Sequence, residues 1–136
     1  MCLFCDIVSG AKDADVVYEN DTTVAFLDIR PVFKGHTLVV PRTHVEILAE
    51  LDDGLLTPLF TDVRLLSLAI PEAVEAEGSF VAINNKISQS VPHLHVHIVP
   101  RRRKDGLRGF FWPRHTYDSD EERLRYAEAI RARVKT

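Results

Sequence analysis

The sequence is poor in several things, and each scarcity narrows its class. It has two cysteines, Cys2 and Cys5, too few and too close together for the disulfide framework of a small secreted domain. In a reducing compartment such a pair points to a metal site or to redox chemistry. No apolar run approaches the roughly 20 residues that cross a bilayer, so no membrane partner is expected. A net charge of −3 lacks the positive excess of a general nucleic-acid binder, so no nucleic-acid partner is expected either. The first residues carry no basic flank followed by a long apolar stretch, which makes a cytoplasmic location the expectation. No internal repeat, low-complexity tract or linker divides the 136 residues, a length that can bury a full core as one domain.

The hydrophobic pattern predicts an α+β domain built on an antiparallel sheet of about five strands, with one long central helix and a C-terminal helix. Val16–Glu19 and Thr23–Asp28 read as two strands joined by a tight turn at Asn20-Asp21. After Gly35, His36–Val40 reads as a third strand stopped by Pro41. Leu55–Glu77 has helical spacing, with Leu59, Val63, Leu66 and Ile70 on one side. Pro58 would start this helix in its first turn, Pro71 would kink or interrupt it, and Gly78 would end it. Phe80–Asn84 reads as a fourth strand, Asn84–Pro92 as a polar loop, and His93–Val99 as a fifth strand closed by Pro100. Ser119 and Glu122 make a capping box for a C-terminal helix with a narrow apolar stripe of Leu124, Ala127, Ile130 and Val134.

The most informative stretch is His93-Leu94-His95-Val96-His97-Ile98-Val99. A strand turns successive side chains to opposite faces. The three imidazoles therefore share one face, and Leu94, Val96 and Ile98 share the other, free to pack on the core. A single strand histidine is ordinarily structural. Three in strict alternation are costly to bury without purpose, because each ring needs hydrogen-bond partners. They line a cleft or bind a metal. Imidazole is a good nucleophile at neutral pH, and a held ring can attack phosphorus and later be displaced by water.

With this motif the chain resembles the histidine-triad (HIT) family of nucleotide hydrolases and transferases. Cys2–Val8, Ala25–Pro31 and Gly35–Arg42 are similar to that family in the same order, and the resemblance covers roughly residues 1–103. It implies a single HIT domain over 1–136, with residues 104–136 as a C-terminal extension. The implied nucleophile is His95, forming a nucleoside-monophosphoryl intermediate at the α-phosphorus. His97 would bond a phosphate oxygen or steady the ring. His36 matches a fourth active-site histidine that contacts phosphate. Gln89 and Ser90 match a pair near the bridging and leaving-group atoms, where Ser90 can supply a proton or hydrogen bond. Asn84 matches a phosphate-contacting asparagine, although the loop from Asn84 to Gln89 lacks the glycines usual in the family. Asp28 matches the carboxylate that accepts from ribose hydroxyls. Phe26 and Ile29 would wall the base pocket; by composition alone they are core residues.

Cys2 and Cys5 have metal-ligand spacing, and their place at the first residues does not suit a thioredoxin-like motif, which follows a strand in a βαβ unit. The resemblance implies that His44 and His93 join them around a structural zinc. Two thiolates and two neutral imidazoles complete a tetrahedron and leave no open position. If zinc takes His93, that residue orients the strand and does not touch substrate. Arg101–Lys104 is a basic run, ordinarily a solvated loop. The aromatic segment Leu107–His115 would plug the core, seal a dimer or stack on a base, and the family resemblance implies a homodimer. The function expected is hydrolysis of a purine nucleoside phosphoramidate, adenylyl conjugate or dinucleoside polyphosphate to a nucleoside monophosphate. The alternatives are a nucleotide-binding regulator with little turnover, or a nucleotidyltransferase or phosphorylase of the same superfamily.

Overall fold

The computed structural model describes residues 2–107 and 114–134. The chain divides into two compact units, Met1–Asp105 and Gly106–Thr136. The first holds strands β1 (Val16–Glu19), β2 (Thr23–Leu27), β3 (Thr37–Pro41), β4 (Gly78–Ala82) and β5 (Val96–Arg101), with helices α1 (Leu3–Ser9) and α2 (Asp53–Ala73). All five strands pair antiparallel in the order β1-β2-β3-β5-β4. This is the α+β architecture expected from the hydrophobic pattern.

Period-two alternation sorts the sheet into two apolar faces. On one, Ala25, Val39, Leu94, Val96 and Ile98 pack against Leu59, Val63, Leu66 and Ile70 of α2. On the other, Val24, Phe26, Leu38 and Val40 pack against Phe4, with Ile7 and Val8 beside it. Phe26 pairs across to Leu38, and Leu38 to His97, so the second face leads from the core to the histidines. By length and mean hydropathy of 1.2, the 21-residue α2 could cross a membrane. Here its buried stripe belongs to the core instead.

Several element ends differ from the sequence reading. α2 starts at Asp53, before Leu55, so Pro58 lies inside it. The helix ends two residues after Pro71, Glu75 takes a left-handed conformation (φ 57°), and Gly78 opens β4. Pro41 and Pro100 lie within β3 and β5. The β3–β5 ladder stops at Val39 and Ile98, so beyond it each strand has one neighbour and a proline's missing N–H need not break a ladder. β5 begins only at Val96. The His93–His95 stretch is pinned instead by the Leu94 N–H, which donates to the Val45 carbonyl at 2.7 Å.

α1 was not foreseen. Cys2 caps it, its sulfur accepting from the Cys5 N–H at 3.3 Å. Gly10 ends it at φ 83°, a left-handed position that glycine fills without strain. In the second unit, α3 spans Asp120–Arg133. The Ser119 hydroxyl accepts from the Glu122 N–H as expected, but the Glu122 carboxylate bonds back to the Asp118 N–H. Its stripe residues Leu124, Ile130 and Val134 are exposed. Phe110–Trp112, the aromatic centre of the preceding segment, lies outside the described residues.

Candidate active site and metal centre

Backbone partners fix the protons on the histidines. The Nδ1 of His95 lies 2.7 Å from the His93 carbonyl. A carbonyl only accepts, so in the neutral ring Nδ1 carries the proton and Nε2 the lone pair. His95 is buried, yet it lines a cavity of about 420 Å³ together with His97, Ser90, Asp28 and Phe26. That volume suits a nucleotide-sized ligand. A ring with a lone pair on Nε2 therefore stands beside a ligand-sized opening.

His97 is set by a second chain of bonds. The Val32 N–H donates to His36 Nδ1 at 3.1 Å. His36 must then carry its proton on Nε2, which lies 3.0 Å from His97 Nδ1. His97 accepts there and keeps its own proton on Nε2. That atom is buried and has no hydrogen-bond partner among the described residues. An orphaned buried donor is costly, and a phosphate oxygen in the cavity would satisfy it. Burial first, then the charges of His95 and His36, lowers the His97 pKa to about 4, so the ring is a neutral donor at pH 7. Burial also pushes His36 down, against the opposing pull of Asp28.

His36 itself is not among the cavity-lining residues. It sits buried behind His97, its Nε2 3.7 Å from the Asp28 carboxylate. Gly35 permits this placement. Its φ is 101°, and a Cβ there would stand 3.3 Å from both Pro100 and Val74 side chains. Asp28 also accepts from the Arg30 N–H at 2.8 Å. Phe26 serves in both the core and the cavity wall, whereas Ile29 lines the cavity with 89% of its surface exposed.

The structure does not bring Asn84 or Gln89 to this cavity. Asn84 is exposed. The Gln89 side chain is bonded at both ends, accepting from the Lys86 N–H and donating to the Glu46 carbonyl. It braces the loop that carries Ser90. Without glycines, Lys86 and Ser88 take the positive φ values themselves, 69° and 60°. The arginines of the basic run are consumed locally: Arg101 pairs with Asp105, Arg103 with Glu77, and Arg102 donates to the Val74 carbonyl. Sequence reasoning missed Leu3, Phe4 and Ile7, which α1 contributes to the cavity. The three- and four-residue spacings of Phe4 and Leu3 from Ile7 were the available signal, too short to establish a helix.

The second group of donors is Cys2, Cys5, His44 and His93. His93 Nε2 donates to the Pro41 carbonyl at 2.9 Å, so its Nδ1 lone pair is free. That atom lies 3.2 Å from His44 Nδ1, 3.4 Å from the Cys2 sulfur and 3.5 Å from the Cys5 sulfur. Cys5 and His44 are 3.2 Å apart. A tetrahedral zinc with ordinary bond lengths has ligand–ligand edges of about 3.3–3.8 Å. The donor set and its spacing fit such an ion. Asp28, His36 and His97 also place donor atoms within 4.8 Å of one another, but the proton on His36 Nε2 blocks that atom from ligating.

A HIT domain model matches residues 9–104. The chain belongs to the HIT family. An adenosine 5'-monophosphoramidase of Schizosaccharomyces pombe is 35% identical to this HIT protein over 98% of both chains. The crystal structure of a HIT family protein from Bacillus subtilis is similar at a TM-score of 0.89 and 38% identity, covering 99% of this chain and 98% of that one. A zinc-bound histidine triad protein from Mycobacterium smegmatis is similar at a TM-score of 0.74 and 36% identity, over 96% of both chains.

Proposed function

We infer that this HIT protein is a nucleotide hydrolase acting through a covalent nucleotidyl-histidine intermediate on His95. The observation that carries the reading is the pairing of a His95 Nε2 lone pair with the unpartnered His97 Nε2–H beside a nucleotide-sized cavity. The phosphoramidase among its relatives supports the same class. The substrate is a purine nucleoside phosphoramidate, an adenylyl conjugate or a dinucleoside polyphosphate.

His95 Nε2 attacks the α-phosphorus. The N–P bond forms as the bond to the leaving amine or oxygen breaks, and the electron pair departs with that group. Ser90, exposed at the cavity, donates a hydrogen bond or proton to it. His97 Nε2–H bonds a non-bridging oxygen whose charge grows in the transition state. His36 is a positioning residue, holding His97 in the donor tautomer. Asp28 accepts from the ribose hydroxyls. Water then attacks the same phosphorus and His95 is regenerated.

Cys2, Cys5, His44 and His93 would hold zinc, whose chemistry here is structural because four protein donors fill its shell. The reading includes a homodimer. It is supported by exposed Phe60, Leu65, Leu68 and Val81. The experiment is steady-state turnover of an adenosine phosphoramidate, set against diadenosine polyphosphates. AMP release that disappears in His95→Ala supports the assignment, and equal turnover in that variant rejects it.

A further inference from the structure

We propose that the metal centre is a latch for the nucleotide pocket: a cation on Cys2, Cys5, His44 and His93 holds α1 in place as one wall of the cavity, and its loss releases that wall. The inference rests on the nucleotide reading of the cavity given above.

α1 has seven residues. A helix this short has no stability of its own and must be held by tertiary contacts. Two of the four metal donors, Cys2 and Cys5, stand at its cap and in its first turn. Leu3 and Phe4 lie between those donors in the chain and, with Ile7, line the cavity. The other two donors belong to the sheet side, His44 shortly after β3 and His93 two residues before His95. A cation at their meeting point therefore ties the wall directly to the segment that carries the nucleophile.

The wall also touches the chemistry. Phe4 meets the His95 ring edge to face, with centroids 5.0 Å apart at 89°, and Phe26 at 5.3 Å and 69°. Phe4 is buried, but Leu3 leaves 41% of its surface exposed. The apolar attachment of α1 is thus concentrated on a few side chains, and the metal supplies the remainder. Metal and nucleotide are then coupled ligands. Each must raise the affinity for the other by the same factor.

The test compares the zinc-loaded protein with the same protein after chelation. AMP is the probe, followed by calorimetric titration and by amide hydrogen exchange. The expected result is an AMP Kd about tenfold weaker without metal. Amides of residues 3–9 should lose protection while those of β3 and α2 keep theirs. Reciprocally, AMP should raise zinc affinity by the same factor in competition with a chromogenic chelator. An unchanged Kd, or α1 amides equally protected without metal, would overturn the latch. So would sheet and α1 amides exchanging together, because the metal would then support the whole fold. Leu3→Ala keeps every donor. It should weaken AMP binding severalfold at full zinc content, and no change would count against α1 as a wall. A zinc-loaded protein that binds no AMP would sink the nucleotide reading, and hydrogen exchange would still decide whether metal holds α1.

Discussion

Two groups of histidines flank His95, and their backbone partners set them to opposite tasks. In the first, a carbonyl takes the proton of His93 Nε2, which turns a lone pair toward Cys2, Cys5 and His44. In the second, an amide N–H occupies His36 Nδ1, which turns a proton toward His97 and, through it, leaves an N–H at the cavity. The side chains are chemically alike. One carbonyl and one N–H decide that the first group can collect a cation and the second can only pass hydrogen bonds onward. His95 is set by a carbonyl like His93, but its free nitrogen has the cavity beside it.

Mutation should separate the two groups. His95→Ala should have the largest effect, a loss of at least about a thousandfold in kcat with fold and zinc content kept. His97→Ala removes one oxyanion donor and should cost about 10²–10³ in kcat; His97→Gln, which retains an N–H, should recover part of it. His44→Ala should cut bound zinc well below about one per chain by metal analysis, while a His36→Ala variant keeps full zinc. Equal zinc loss in both would erase the distinction between the groups. Gly35→Ala should destabilise the fold by about 1–3 kcal/mol in urea titration, because its positive φ and its close neighbours both oppose a side chain.

A pH profile probes the relay from His36 to His97. His97 is held near pH 4 in the fold but titrates near 6.5 when unfolded. A depressed folded value favours the neutral ring, so its contribution is full above the unfolded pKa and fades as pH falls toward about 4. Urea midpoints should therefore decline from pH 6.5 downward, and less steeply in His97→Gln.

Much of this was legible beforehand because it is written in local periodicity. The alternation of Leu94, Val96 and Ile98 against the histidines survives in the fold, with all three apolar residues fully buried, although only Val96, His97 and Ile98 of that run lie in β5. Cys2 and Cys5 come together with His44 and His93, far apart in sequence, into a cluster that could hold a metal. Other features depend on contacts distant in sequence. Nothing local indicates that His36 stands behind His97, since the bond that places it spans 61 positions. Gln89 reads as a site residue until its two ends are traced to Lys86 and Glu46. α1 was too short for its period to register.

In the proposed mechanism His95 bonds covalently to the nucleotide. Rapid acid-free quenching of the protein during turnover of an adenosine phosphoramidate, followed by peptide mass spectrometry, would capture that bond. An adenylyl group should appear on the peptide carrying His95 and be absent from His95→Ala. An adduct on another residue, or turnover at full rate with no protein adduct at any time, would contradict it.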